Sequence, residues 1–99
     1  MRIRLLDVAQ AELDEAIVYY EQQRTGLGDE FLAEVVGAMD RMARFPVAWH
    51  ILSKRTRRCL LRRFPYGIIY QNNPDHILIV AVGHLSRRPE YWMDRLRKI

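Results

Sequence analysis

The sequence predicts an α+β fold in which an antiparallel helical hairpin packs on an antiparallel β-sheet. Three observations predict it. In the first half, apolar residues recur at helical spacing over two stretches. Beyond Pro46 the pattern changes to short β-branched and aromatic runs broken by turns. The run His76 to Val82 is almost continuously apolar, as in a central strand covered on both faces. The implied order is β-α-α-β-β-β-α: an N-terminal strand, the hairpin, a β-meander and a short C-terminal helix. The 99 residues suit one domain spanning 1–99.

Residues 2–6 form the opening strand, with Ile3, Leu5 and Leu6 apolar. Asp7 stands where an N-cap belongs, and Gln10 follows three residues later as in a capping box. Ala9, Leu13, Ala16, Ile17 and Tyr20 then share one helical face. Gly26 and Gly28 end this helix and begin the next. Phe31, Leu32, Val35, Met39, Met42 and Ala43 make the second apolar stripe, which Pro46 stops. The connection is short, so the two helices lie antiparallel. Tyr19 and Tyr20 read as packing residues.

Trp49 to Leu52 suggests a short edge strand. Arg57 to Phe64 reads as a strand with Cys59 and Leu61 on one face and Leu60 and Phe64 on the other. Gly67 to Gln71 is the next strand, and Asn72-Asn73-Pro74-Asp75 is a turn. His76 to Val82 is the third. Tyr66 and Tyr70 suit the sheet or core. Pro89 fits the first turn of a last helix, Glu90 to Leu96, which Trp92 docks on the core.

The net charge of +4 hides an uneven distribution. Residues 1–50 carry five basic and nine acidic side chains, net −4, whereas residues 51–99 carry eleven and three, net +8. Such a basic half points to a polyanionic or acidic partner. Arginine outnumbers lysine fourteen to two, which favours planar bidentate recognition of carboxylate or phosphate. Several classes drop out. One cysteine, Cys59, allows no internal disulfide and suits a reducing cytoplasm. No run approaches the roughly 18 apolar residues of a membrane-spanning helix, and the first residues lack a signal-peptide core, so no membrane association is expected. His50, His76 and His84 stand far apart without a partner cysteine, so neither a metal site nor a cofactor is expected.

Two clusters carry chemistry. Lys54, Arg55, Arg57, Arg58, Arg62 and Arg63 crowd ten residues. They suit a phosphate-binding or acidic-partner surface, a charged edge that blocks sheet-to-sheet aggregation, or a patch partly neutralised by the acidic helices. The second cluster, His84 to Trp92, follows the central strand, where sites commonly lie. A neutral His84 is a candidate general base, Arg87 and Arg88 are candidate phosphate clamps, and Tyr91 offers a ring or a hydroxyl.

The succession Glu12-Leu13-x-Glu15-Ala16-x-x-Tyr19-Tyr20-Glu21, Gly26-Leu27-Gly28, Phe31, the arginine-rich strand before Phe64-Pro65-Tyr66-x-Ile68-x-Tyr70, and His84-x-x-Arg87-x-Pro89-x-Tyr91-Trp92 resembles the RelE/ParE family of bacterial toxins. The resemblance spans nearly the whole chain. It implies the toxin of a type II toxin–antitoxin module, neutralised by a cognate antitoxin protein. RelE-like members are ribosome-dependent mRNA endonucleases. On that pattern Lys54, Arg62 or Arg63, His84, Arg87 and Tyr91 would form the catalytic set. ParE-like members bind and poison DNA gyrase without chemistry of their own. The basic strand here holds no carboxylate and one lysine, and the long hairpin and the His84–Pro89 segment look closer to ParE. The expectation is therefore a gyrase-directed surface made by Lys54, Arg57, Arg58, Arg62, Arg63, Arg87 and Arg88.

Overall fold

The computed structural model describes residues 2–97; positions 1, 98 and 99 of the expected 1–99 span lie outside the described residues. Strand β1 (Arg2–Leu5) leads into helices α1 (Asp7–Gln23) and α2 (Leu27–Arg44), then strands β2 (His50–Ile51), β3 (Thr56–Leu60), β4 (Tyr66–Asn72) and β5 (His76–His84), and a single helical turn α3 (Met93–Leu96). The sheet order is β1-β5-β4-β3-β2. Strands β2 to β5 form the expected antiparallel meander, and β1 closes the far edge parallel to β5, with Arg2 opposite His76 and Leu5 opposite Ile79.

The hairpin covers one face of the sheet. Ala9, Leu13 and Ala16 of α1 and Phe31, Val35, Ala38 and Met42 of α2 pack on Cys59, Ile68, Tyr70, Ile77, Ile79 and Val82. The chain reverses at Gly26, whose φ of 90° is the left-handed region that a side chain disfavours. The Glu21 carboxylate accepts the Gly26 and Gly28 N–H groups at 3.0 and 3.1 Å and so caps α2.

The back face has its own smaller core: Ile69, Leu78, Val80, Ala81 and Trp92, with Leu6, Leu52, Tyr91 and Leu96 against them. The C-terminal segment therefore covers the side opposite the hairpin, and β5 is buried on both faces. A bulge adds a residue to the back face. Ile69 pairs with Ala81 and Tyr70 with Ile79, so Val80 is the extra residue, and Val80 and Ala81 both join the back-face core.

Four local expectations are corrected. Asp7 is the first residue of α1 and not its cap; Leu6 holds that position without a side-chain cap, and the Gln10 amide donates instead to Asp14. Strand β3 ends at Leu60, because the Arg62 and Arg63 N–H groups donate to the Glu34 carboxylate and Pro65 has no N–H to offer. That turn swings Phe64 to the hairpin side, where it meets Tyr20 and Phe31 at 4.8 and 5.0 Å between ring centres. The last helix starts at Met93, not Glu90, since tight turns occupy the residues before it and the Trp92 indole N–H donates to the Pro89 carbonyl. Tyr19 and Leu32 face outward, 54% and 37% exposed.

Candidate functional site

Strand β1 pairs with only the first part of β5. Past the Leu6 N–H, which donates to the Ile79 carbonyl, β1 gives way to α1 and the outer edge of β5 is uncovered. Side chains fill that gap. Glu12 of α1 accepts the Val82 N–H at 3.0 Å, and Arg95 of α3 donates to the Val80 carbonyl at 3.1 Å. Glu12 also takes Arg95 at 2.7 and 2.8 Å and Arg87 at 2.7 Å. One carboxylate thus ties the hairpin, the β5 edge and the C-terminal segment together. Burial works against the Glu12 charge, but the bonds from Arg95, Val82 and Arg87 outweigh it and hold the carboxyl below its usual range.

Tyr91 lies beneath this cluster. The Arg87 guanidinium sits 3.9 Å from its ring centre. Its hydroxyl rests over Gly83, where even a β-carbon would come within 1.9 Å. Gly83 faces Gly67 across β4 and β5, so the back face here has a floor without side chains. Arg58 crosses that floor, with a β-carbon on Gly67 falling 3.1 Å from its Cδ. Its buried Nε has no hydrogen-bond partner among the described residues. Together Arg58, His84, Arg87, Arg88 and Tyr91 line a cavity of about 40 Å³ with apolar neighbours Leu52 and Leu85. Among the described residues no carboxylate lines it.

The structure thus brings together the His84–Tyr91 segment and Arg58, but it scatters the rest of the basic run. Lys54 is exposed in the β2–β3 turn. Arg57 points to the hairpin side and donates to the Val47 and Trp49 carbonyls, both at 2.9 Å. Arg63 is paired with Glu30 at 2.6 Å, and Arg62 lies exposed beside it. Arg88 is exposed on the cavity rim. Partial neutralisation by the acidic helices is realised at Arg63 and Arg87.

The same geometry bears on catalysis. The His84 Nδ1 accepts the Ser86 N–H at 3.0 Å, which leaves the neutral ring's proton on Nε2. Neither nitrogen is then a free base. Burial, joined by the Glu12 charge, pushes the Tyr91 hydroxyl above its usual range, so it stays protonated at neutral pH.

A family profile described as "ParE toxin of type II toxin-antitoxin system, parDE" matches residues 3–89. The chain belongs to the ParE toxin family. A solved structure described as "Chromosomal ParDE TA system from P. aeruginosa" shares the fold at a TM-score of 0.69, with 16% identity over 85% of this chain and 95% of that one. No curated protein matches the chain.

Within this ParE-family chain, two residues that hold the site together carry no such role in the sequence, although Glu12 opens the family-like succession. Glu12 reads as one acidic residue among several on α1, and Arg95 as part of a terminal basic run. A signal existed for Glu12, which falls one position before Leu13 of the apolar stripe and so borders the buried face. For Arg95 nothing in the sequence indicates the bulge that it serves.

Proposed function

We propose that this ParE-family toxin arrests growth by binding and poisoning DNA gyrase, and that a cognate antitoxin neutralises it in the cytoplasm. No helix among the described residues is long and apolar enough to cross a membrane. The observation that carries the binding reading is the engagement of the catalytic candidates. His84 Nδ1 is held by Ser86, Arg87 by Glu12, and the Tyr91 hydroxyl lies against Gly83. An mRNA endonuclease needs a free base beside its phosphate clamps, and here the base candidate His84 and the clamp Arg87 are held by structure, while Arg58 and Arg88 of the same cavity stay open to bind a partner. The target-facing residues on this reading are Arg62 and Arg88, which form no ion pair among the described residues, with Arg58 behind them and Lys54 at the far turn.

Expression of the chain from a tightly controlled promoter tests this. Gyrase poisoning gives elongated cells and an SOS response while translation continues. Immediate translational arrest with mRNAs cut within codons would replace it with the endonuclease reading. Under gyrase poisoning, His84→Ala keeps most of the toxicity; a general base at that position would cost about 100-fold or more. A melting curve of the variant accompanies the assay.

A further inference from the structure

At the other end of the back face, a second polar cluster is built around Asn73, which is 8% exposed. The Asn73 Oδ1 accepts from the Arg55 guanidinium. Its Nδ2 donates to the Gln71 Oε1 at 3.0 Å and meets the His76 Nε2 at 3.3 Å. The His76 Nδ1 faces the Asp75 carboxylate at 2.8 Å. With Nε2 accepting from Asn73, His76 donates to Asp75 through Nδ1 and both ring nitrogens are assigned. Arg55 is held in place by an amide, and no carboxylate among the described residues pairs with it.

Parallel pairing of β1 with β5 completes the site. It sets Arg2 opposite His76 and Arg4 opposite Leu78. Arg4, Arg55, Gln71, Asn73 and His76 then line one cleft of about 420 Å³, with Leu6 and Leu78 as an aliphatic wall. Arg4 and Arg55 form no ion pair with an acidic side chain among the described residues. Arg2 and Lys54 flank the cleft in register and in sequence, and Asp75, already engaged by His76, stands among them. Among these described residues, four cations stand against one carboxylate, a balance of +3.

We propose that this cleft binds a phosphate group between Arg4 and Arg55. Guanidinium groups match a tetrahedral oxyanion by paired N–H donation, and the fixed amides of Asn73 and Gln71 keep the floor polar and pre-organised. The cleft is larger than a phosphate alone requires, which leaves space for a sugar attached to it. The site is separate from the His84–Tyr91 end and does not depend on the gyrase reading.

The test is a nuclear magnetic resonance titration of the ¹⁵N-labelled chain with inorganic phosphate at constant ionic strength. The Asn73 and Gln71 side-chain amides and the Arg55 Nε–H shift saturably, and chloride does not reproduce the shift. Arg55→Gln and Arg4→Gln each weaken binding about fivefold or more, while Arg24→Gln, at the helical hairpin turn, leaves it unchanged. If Arg55→Gln loses its dispersed spectrum, Arg4→Gln on the exposed edge decides. A short DNA duplex then identifies the source. Tighter binding that moves the same resonances assigns the phosphate to a nucleic-acid backbone; a cleft filled by inorganic phosphate and ignored by the duplex assigns it to a free or nucleotide phosphate. No saturable shift with either ligand, or full binding in a folded Arg4→Gln variant, overturns the proposal.

Discussion

The two ends of the back face use arginine in opposite ways. At the His84 end, Glu12 reaches over from α1 and takes both Arg87 and Arg95. At the Asn73 end, Arg55 meets an amide, and Arg4 has no acidic partner among the described residues. The first is a latch that closes the uncovered edge of β5. The second is an open basic cleft. Arginine count therefore says little about available charge; what decides is whether a carboxylate stands within reach in the fold.

The largest effect should come from removing the carboxylate that separates the two cases. Glu12→Ala leaves Arg95, only 14% exposed, without its partner and strips the Val82 N–H of its acceptor. Breaking such a partly buried network costs about 3 kcal/mol, at the low end for buried pairs because Arg87 reaches water. Urea unfolding of Glu12→Ala and Arg55→Ala measures the contrast, with Arg55→Ala expected within about 1 kcal/mol of wild type. Equal losses would mean that the two ends are not different in kind.

Acid should erase the same contrast. Because the folded-state pKa of Glu12 is depressed, its contribution is fully present above the ordinary value of 4.5 and is lost as pH falls through the folded value. The stability gap between wild type and Glu12→Gln should stay constant from neutral pH down toward the unfolded pKa and close only as pH falls through the lower folded one. A gap that persists into strong acid would mean that the Glu12 charge does not hold the latch.

Much of this arrangement is legible in the sequence, and the limits have physical causes. Helical spacing and Pro46 mark both helices because one apolar face per helix is a local signal. The double coverage of β5 is legible because a strand buried on both sides loses its alternation. The end of β3 at Leu60 is not, since it depends on Glu34, far away in the chain, capturing the Arg62 and Arg63 N–H groups. Nor is the destination of Arg2 and Arg4. They belong to the net-acidic half by position, and only the parallel pairing of β1 with β5 carries them to the basic side. The acidic and basic halves are thus a property of the chain, and the cleft at Asn73 is a property of the topology.

The glycine floor sharpens the comparison at intermediate cost. Gly83→Ala puts a β-carbon 1.9 Å from the Tyr91 hydroxyl oxygen and 2.6 Å from its Cζ, so the ring must move off the sheet. Overpacking of this kind costs about 1–3 kcal/mol. Tyr91→Phe removes the nearest atom, so Gly83→Ala should cost less in that background; thermal unfolding of the wild type, the two single variants and the double variant reads the coupling. Additive losses would place Tyr91 away from Gly83 in solution and loosen the His84 end.

The smallest stability effect belongs to Arg4→Gln, and its smallness is the point. Arg4 is exposed on an edge strand and has no ion pair among the described residues to lose. Its replacement should change the unfolding free energy by less than about 0.5 kcal/mol. Salt separates it further from the latch. Added sodium chloride screens exposed like charges, so it should raise the melting temperature of the wild type slightly more than that of Arg4→Gln, because the variant has one fewer cation repelling Arg2 and Arg55. Arg95→Gln should behave oppositely, with a clear loss of stability that salt does not restore, because its Glu12 contact is largely shielded from water. A large loss for Arg4→Gln would make that arginine a structural residue and remove the distinction between a charge kept for the fold and a charge left open at the surface.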